Sequence, residues 1–238
     1  MKEKKDSNVV LAAKGLTKSF TNGAVVTTVV SGVTLNIYRG EFVAITGPSG
    51  SGKSTLMGML AGLERPTQGS VKLNDKDIAS ATEDELATIR NTELGFVFQS
   101  FHLIPSLTAR ENILFPLELA KRSDAATRTD SLLKRIGMTH RSDNYPNQLS
   151  GGEKQRIAIC RALAHEPSIV FADEPTGNLD STNGKLVVDL LLALQRERNV
   201  TLVVVTHEES LAARADRHIA LLDGKIANES RTGRRKKQ

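Results

Sequence analysis

Nine consecutive residues, Gly47-Pro48-Ser49-Gly50-Ser51-Gly52-Lys53-Ser54-Thr55, carry the spacing G-x-x-x-x-G-K-[ST]. Each residue type has a task in holding the phosphates of a nucleotide. Glycines let backbone N–H groups converge on phosphate oxygens where a Cβ would intrude. A helix starting at the lysine turns its positive dipole end toward the same anion. Lys53 is placed to reach the β- and γ-phosphates, and the Ser54 hydroxyl to ligate Mg2+. The motif has this meaning only between a strand and a helix. Here the apolar run 42–46 leads into it, and a segment at helical spacing, 53–63, follows. A Gly- and Ser-rich turn that merely contained a lysine would need neither neighbour.

Two further constellations complete the chemistry. Asp173 and Glu174 close the apolar run 169–172. Ligands of open parallel sheets bind at the carboxyl ends of strands, so these carboxylates and the phosphate loop are predicted to serve one ligand. Asp173 would hold Mg2+ through water, and Glu174 would polarise the attacking water. The second constellation is Leu149-Ser150-Gly151-Gly152-Glu153-Lys154-Gln155, ahead of a helical run over 156–164. Ser150 and Glu153 are spaced as a capping box, which starts a helix. The box leaves Gly151 and Gly152 unexplained, each costing about 1 kcal/mol in a helix relative to Ala. Two glycines beside a serine hydroxyl at a helix start suggest a second anion site.

In this order the three motifs resemble the ATP-binding subunits of ABC transporters, over about residues 9–226. The resemblance implies an ABC ATPase fold: a P-loop, RecA-like and mostly parallel sheet flanked by helices, with a small antiparallel β part and a helical insert. It implies an ATPase using ATP and Mg2+. Gln99, after the run ending at Phe98, resembles the Q-loop glutamine that senses Mg2+ and the attacking water. Asn178-Leu179-Asp180 resembles the D-loop, and His207, after Thr206, the switch histidine at the γ-phosphate. Phe20 stands where the family places an aromatic on adenine; Tyr is more usual there, but stacking needs only a π face. The resemblance also implies a homodimer with two ATP molecules sandwiched between subunits. Ser150, Gly151, Gly152, Glu153 and Asp180 then join the nucleotide-binding set, Ser150 and Gly152 acting in trans. ATP closes such a clamp and hydrolysis opens it.

A finer resemblance rests on Gly95 to Thr108, on Glu111-Asn112-Ile113, on Phe171 to Asp180, and on Glu153 in the signature. Together they resemble the MacB/LolD/YbbA group of bacterial ABC ATPases, and 205–207 with 211–217 the YbbA branch. The group implies separate integral membrane subunits and mechanical work on periplasmic cargo, such as lipoprotein release or efflux. It implies a peripheral protein at the cytoplasmic face of the inner membrane. The apolar stretch 101–107, with Phe101, Leu103, Ile104 and Leu107, is expected to be exposed and to receive a coupling helix of that partner. A cell-division ATPase of the FtsE kind shares Gly177-Asn178-Leu179-Asp180 and stays open as an alternative. A P-loop kinase has no use for residues 149–155. Soluble ABC ATPases of repair or translation carry coiled-coil insertions or two ATP units in one chain, and this sequence shows neither.

The elements that must position these residues are legible in outline. Apolar runs at 9–13, 29–30, 33–37, 42–46, 94–98, 169–172, 202–205 and 219–222 read as strands. Those at 42–46, 169–172 and 202–205 are continuous, the pattern of strands buried on both faces of a parallel sheet. Helical spacing covers 53–63, 83–90, 125–136, 153–164 and 183–196. Alternating strands and helices imply an α/β class. One ATP-binding domain over 9–227 follows, with 9–99 and 165–227 as core and 100–164 as the helical insert. Residues 1–8 and 228–238 are expected to be a flexible N-terminus and a basic tail.

Composition removes whole classes. Of 238 residues, 25% are charged and 39% hydrophobic, as in ordinary globular proteins. The net charge is +5, but the last eight residues hold five basic and no acidic side chains, leaving 27 against 27. The basic balance therefore belongs to the tail and gives no reason to expect a nucleic-acid partner. The lone Cys160 excludes an intrachain disulfide. No apolar run approaches the roughly 18 residues of a membrane span. Cys160 is read as a buried helix residue, and His102, His140, His165 and His218 as surface histidines.

Overall fold

The computed structural model describes residues 8–232; segments 1–7 and 233–238, which hold most of the expected flexible N-terminus and basic tail, lie outside the described residues. The chain divides into two compact units, one from residues up to Leu86 and from Val205 onward, the other Ala87–Val204.

In the first unit, β1 (Val9–Asn22) and β2 (Val25–Tyr38) form a long antiparallel hairpin around Gly23, with Phe20 opposite Thr27. The apolar runs at 9–13, 29–30 and 33–37 mark only the buried parts of these strands. Their outer halves are polar and exposed, so the alternation fades while the ladder continues. β1 also pairs with β4 (Gln68–Leu73), and β4 with β5 (Lys76–Asp77), giving an antiparallel sheet in the order β2-β1-β4-β5. A second set centres on β3 (Phe42–Thr46), parallel to β9 (Arg217–Leu222), which pairs antiparallel with β10 (Lys225–Arg231). Phe42, Val43, Ala44 and Ile45 are all buried, as the continuous run requires. The phosphate loop separates β3 from α1 (Lys53–Leu60), and α7 (Glu209–Ala212) follows residue 207.

The strands β4, β5 and β10 carry too little apolar character to read in the sequence. Most of β10 is exposed at a sheet edge, where polar side chains suffice. Residues 228–231, assigned by charge to the basic tail, instead complete β10, and the Thr232 N–H donates to the Asp216 carbonyl at 3.0 Å.

The second unit takes up α2 (Glu83–Glu93) at Ala87. It holds β6 (Leu94–Phe98), β7 (Ile169–Asp173) and β8 (Thr201–Val205) in the order β8-β7-β6. β6 and β7 are parallel, with Phe98 opposite Asp173. Between them lie α3 (Ala109–Leu119), α4 (Ala125–Arg135), two 3-10 turns (Thr139–Arg141 and Pro146–Gln148) and α5 (Gly151–Leu163). α6 (Ser181–Arg198) joins β7 to β8. Ile113, Leu117, Leu132, Leu133, Leu149, Ile157 and Cys160 share one buried cluster. Burial pushes the Cys160 thiol up to about 12, so it stays protonated and unreactive near neutral pH.

α3 escapes a pattern search because Pro116 interrupts it. Its start is fixed instead by a capping box, in which the Glu111 N–H donates to Thr108 Oγ1 at 3.2 Å and the Thr108 N–H to the Glu111 carboxylate at 2.8 Å.

Candidate functional site

The phosphate loop grows directly from the carboxyl end of β3. Gly47 has φ +152, and a Cβ there would lie 2.1 Å from the Leu221 carbonyl oxygen and 2.8 Å from Ser51 Oγ. Gly52, the cap of α1, has φ +94, and its Cβ would lie 2.6 Å from the Val29 carbonyl oxygen of β2. Both positions exclude a side chain by space as well as by backbone conformation. The Ser51 N–H donates to the Pro48 carbonyl at 3.2 Å, and the Gly224 N–H to the Ser51 carbonyl at 3.1 Å. Lys53 Nζ donates to the carbonyls of Gly47 at 3.0 Å and Pro48 at 2.8 Å, so the ammonium lies within the loop. Pro48, Ser49, Gly50 and Ser54 are exposed and Thr55 is half-buried. Ser51 Oγ is buried with no hydrogen-bond partner, an orphaned hydroxyl of the kind a bound ligand can satisfy.

Other sequence-predicted residues of this unit gather nearby. The Thr206 N–H donates to the Ile45 carbonyl at 3.1 Å, two residues before Gly47, which sets exposed His207 beside the same strand end. Phe20 is 47% exposed near the turn of the hairpin, with Lys18 Nζ 5.1 Å from its ring centroid. β2, on which Phe20 is registered, continues to Val29 against Gly52. His218 Nε2 and Thr46 Oγ1 share a 2.5 Å hydrogen bond, so this histidine braces the entrance to the loop instead of facing solvent alone. His165 is likewise half-buried, bonded to the Leu94 carbonyl at 3.0 Å.

In the second unit, the register of β6 and β7 brings Gln99 beside Asp173 and Glu174 at neighbouring carboxyl ends. Glu174 holds φ +45, a conformation that non-glycine residues seldom adopt. Strain of this kind concentrates at functional positions. The Gly177 N–H donates to the Glu174 carbonyl at 3.0 Å and closes the turn. Gln99 Nε2 donates to Asn178 Oδ1 at 3.1 Å, and Asn178 Nδ2 to the Gln99 carbonyl at 3.0 Å.

The signature has the capping geometry its spacing predicted. The Ser150 N–H donates to the Glu153 carboxylate at 2.8 Å and the Glu153 N–H to Ser150 Oγ at 3.3 Å. These bonds hold the Glu153 carboxyl below its ordinary range. The two glycines acquire a reason within their own chain. A Cβ on Gly152 would lie 2.8 Å from Asn183 Oδ1, and one on Gly151 would lie 3.2 Å from Leu179 Cδ2. They let the start of α5 approach the start of α6. Asp180 caps α6, accepting from the N–H groups of Thr182 and Asn183 at 3.0 and 2.9 Å, and from Asn183 Nδ2 at 2.6 Å. Hydrogen bonding from Asn183 lowers the Asp180 carboxyl pKa.

Sequence reasoning passed over Gln155 and Asn112 as site-building residues. Gln155 is fully buried and donates to the carbonyls of Pro175 at 2.6 Å and Phe98 at 3.4 Å. It ties α5 to the turn after Glu174 and to the residue before Gln99. Asn112 is discussed below. The stretch 101–107 departs from expectation. Phe101, Leu103, Ile104 and Leu107 are half-buried rather than exposed, and Leu103 packs on the helical core. Phe101 and His102 both have positive φ, and Arg161 of α5 donates to both their carbonyls, at 3.0 and 2.5 Å. On α3, which follows this stretch, Phe115 and Leu119 are exposed.

By donor chemistry alone, the residues expected to hold Mg2+ suit it. Ser54 Oγ, Gln99 Oε1 and the Asp173 carboxylate are hard oxygen donors with one formal charge among them. A cation that keeps waters and takes phosphate oxygens asks for no more. No cluster of three His, Cys, Asp or Glu placed to hold a metal occurs among the described residues.

Comparison with known proteins shows the family and the fold. The family model described as ABC transporter matches residues 30–177. The ATP-binding protein LolD of the lipoprotein-releasing system from Legionella pneumophila strain Lens is 44% identical over 222 residues, covering 92% of this chain and 98% of the relative. The macrolide export ATP-binding/permease protein MacB of Bdellovibrio bacteriovorus is 45% identical over 218 residues; the match spans 92% of this chain but only 33% of that protein. Among solved structures, the ATP-binding cassette MJ0796, a dimer in a post-hydrolysis state bound to ADP and Pi, superposes with TM-score 0.86 at 41% identity, over 93% of this chain and 98% of that one. With the family model covering more than half of its residues and a relative matched over nearly its whole length, the chain belongs to the ABC transporter family, as an ATP-binding, ATP-hydrolysing cassette.

Proposed function

We propose that this cassette supplies ATP-driven work to a separate integral membrane partner, in lipoprotein release or a related export task, from the cytoplasmic face of the membrane. The observation that carries this reading is the match to LolD over 98% of that protein's length, where MacB is matched over a third. No helix among the described residues is long and apolar enough to cross a membrane.

The proposed division of labour uses the residues above. Gly47, Pro48, Ser49, Gly50, Ser51, Gly52, Lys53, Ser54 and Thr55 hold the phosphates by N–H groups, the Lys53 ammonium and hydroxyls, while Phe20 stacks on adenine. Glu174 accepts a proton from the attacking water, with Gln99 and His207 orienting water and γ-phosphate. Ser54, Gln99 and Asp173 would hold Mg2+, which when bound would neutralise charge on the phosphate oxygens. Ser150, Gly151 and Gly152, with Glu153 and Asp180, act on the nucleotide of a second copy; the dimeric cassette among the structural relatives supports that arrangement.

Glu174→Gln should lower turnover about 10²- to 10⁴-fold, the range for losing a general base. ATP should remain bound and hold two copies together, read by size-exclusion chromatography. The trapped variant should then recover an integral membrane protein with a periplasmic domain from detergent-solubilised membranes. Recovery of division proteins alone would replace the export reading with the cell-division one. Near-normal turnover in the variant would overturn the role given to Glu174.

A further inference from the structure

Gln99 and Asn178 form a closed ring of two hydrogen bonds across β6 and β7. Its chemistry fixes both amide orientations. The Gln99 backbone carbonyl can only accept, so it selects the Nδ2 end of Asn178 at 3.0 Å. That leaves Asn178 Oδ1 facing Gln99, and an oxygen can only accept, so it selects Gln99 Nε2 at 3.1 Å. The remaining end of the Gln99 amide is Oε1, the one atom of that side chain able to ligate a cation. Gly177 clears the space. A Cβ there would lie 2.8 Å from Gln99 Nε2 and 3.0 Å from Cδ. Gln155 fixes the two backbone segments that the ring joins, through Phe98 and Pro175.

We propose that Asn178 is a positioning residue: through its reciprocal bond with Gln99 it presents Gln99 Oε1, and withholds Nε2, from the metal of the metal–nucleotide substrate. The inference rests on reading the chain as a cassette that uses a divalent cation with ATP. It adds a role for the Gly-Asn pair at 177–178. Glycine opens the space in which the amide lies, and asparagine decides which way the amide points. An amide that turned freely would spend part of its time offering an N–H pair to the cation, which no cation accepts.

The test is a Mn2+ titration followed by electron paramagnetic resonance. It uses the full chain with adenylyl imidodiphosphate, alongside nucleotide binding measured in EDTA. Asn178→Ala should weaken Mn2+ affinity about tenfold, as loss of a partner that orients a metal ligand does, and leave EDTA binding unchanged. Gly177→Ala should shift Mn2+ affinity in the same direction, because the three atoms nearest a Cβ there all belong to the Gln99 side chain. In a Gln99→Ala background, Asn178→Ala should change nothing more. Unchanged Mn2+ affinity in Asn178→Ala, with the parent chain binding normally, overturns this inference alone. So does an equal loss on top of Gln99→Ala, which would make Asn178 a structural brace. If the parent chain binds nucleotide no better than Lys53→Ala, the cassette reading fails and this inference with it.

Discussion

Gly47 and Gly50 lie three residues apart in one loop, yet their environments differ. A Cβ on Gly47 would meet the Leu221 carbonyl at 2.1 Å, a backbone atom in a paired strand that cannot swing aside. A Cβ on Gly50, at φ +79, meets nothing within 4 Å. Gly47→Ala should therefore cost about 2–3 kcal/mol or more and abolish nucleotide binding. Gly50→Ala should cost only the left-handed backbone term of about 1–2 kcal/mol. Thermal melts of the two variants check this, and equal losses would contradict it. The sequence shows that both are glycines of a phosphate loop, because the spacing carries that message. It does not show Leu221, which reaches Gly47 only after the chain has folded through more than a hundred residues. The positive φ of Glu174 is hidden for the same reason, since strain is imposed by surroundings and leaves no local signature.

Asn112 shows how one polar side chain can build an element. It is fully buried in α3, yet both its amide oxygen and its amide nitrogen have hydrogen-bond partners. Its Oδ1 accepts from the Ile104 N–H at 2.8 Å, and its Nδ2 donates to the carbonyls of Ile104, Leu107 and Thr108 at 3.2, 3.0 and 2.9 Å. The side chain therefore folds the loop 104–108 onto the first turn of α3. Asn112→Leu keeps the number of side-chain heavy atoms but removes the partner of the Ile104 N–H and of the Leu107 carbonyl, each worth about 1–3 kcal/mol when unsatisfied, while the Ile104 and Thr108 carbonyls keep the backbone N–H groups of Leu107 and Asn112. The expected loss is about 3 kcal/mol or more, with raised hydrogen exchange confined to 101–108. A loss below 1 kcal/mol would show that the loop satisfies itself. The strands β3, β7 and β8 are legible because burial on both faces writes a continuous apolar run. α3, β4 and β10 are not. α3 is organised by Asn112 and a capping box around an interior proline, and the two strands are held by ladders that polar residues can fill.

At the scale of the whole molecule, acid should unfold the chain in two stages with separate causes. The first belongs to His165. Burial lowers its pKa, and Arg128 and Arg122 push it the same way, against the Leu94 carbonyl and Glu93. A histidine lowered in the folded state stays neutral while the unfolded chain takes up its proton near the ordinary value of about 6.5. The unfolded chain then binds more protons, so stability falls as pH drops below that value. The second stage belongs to carboxylates. Backbone and side-chain bonds from Thr82, Thr108, Ser150 and Asn183 hold Glu85, Glu111, Glu153 and Asp180 below their ordinary range. Groups lowered in this way stabilise the fold above about pH 4.3, and that contribution disappears as pH falls through their folded values. These residues sit at the starts of α2, α3, α5 and α6, so protonating them loosens helices in both units together. Melting temperature should be level from pH 8 to 7, decline gently below about 6.5, and drop steeply below about 4.5. His165→Gln should flatten the gentle decline and leave the steep one in place. A gentle decline that survives the substitution would assign it to another group, and a steep drop already present at pH 6 would remove the carboxylate caps as its cause.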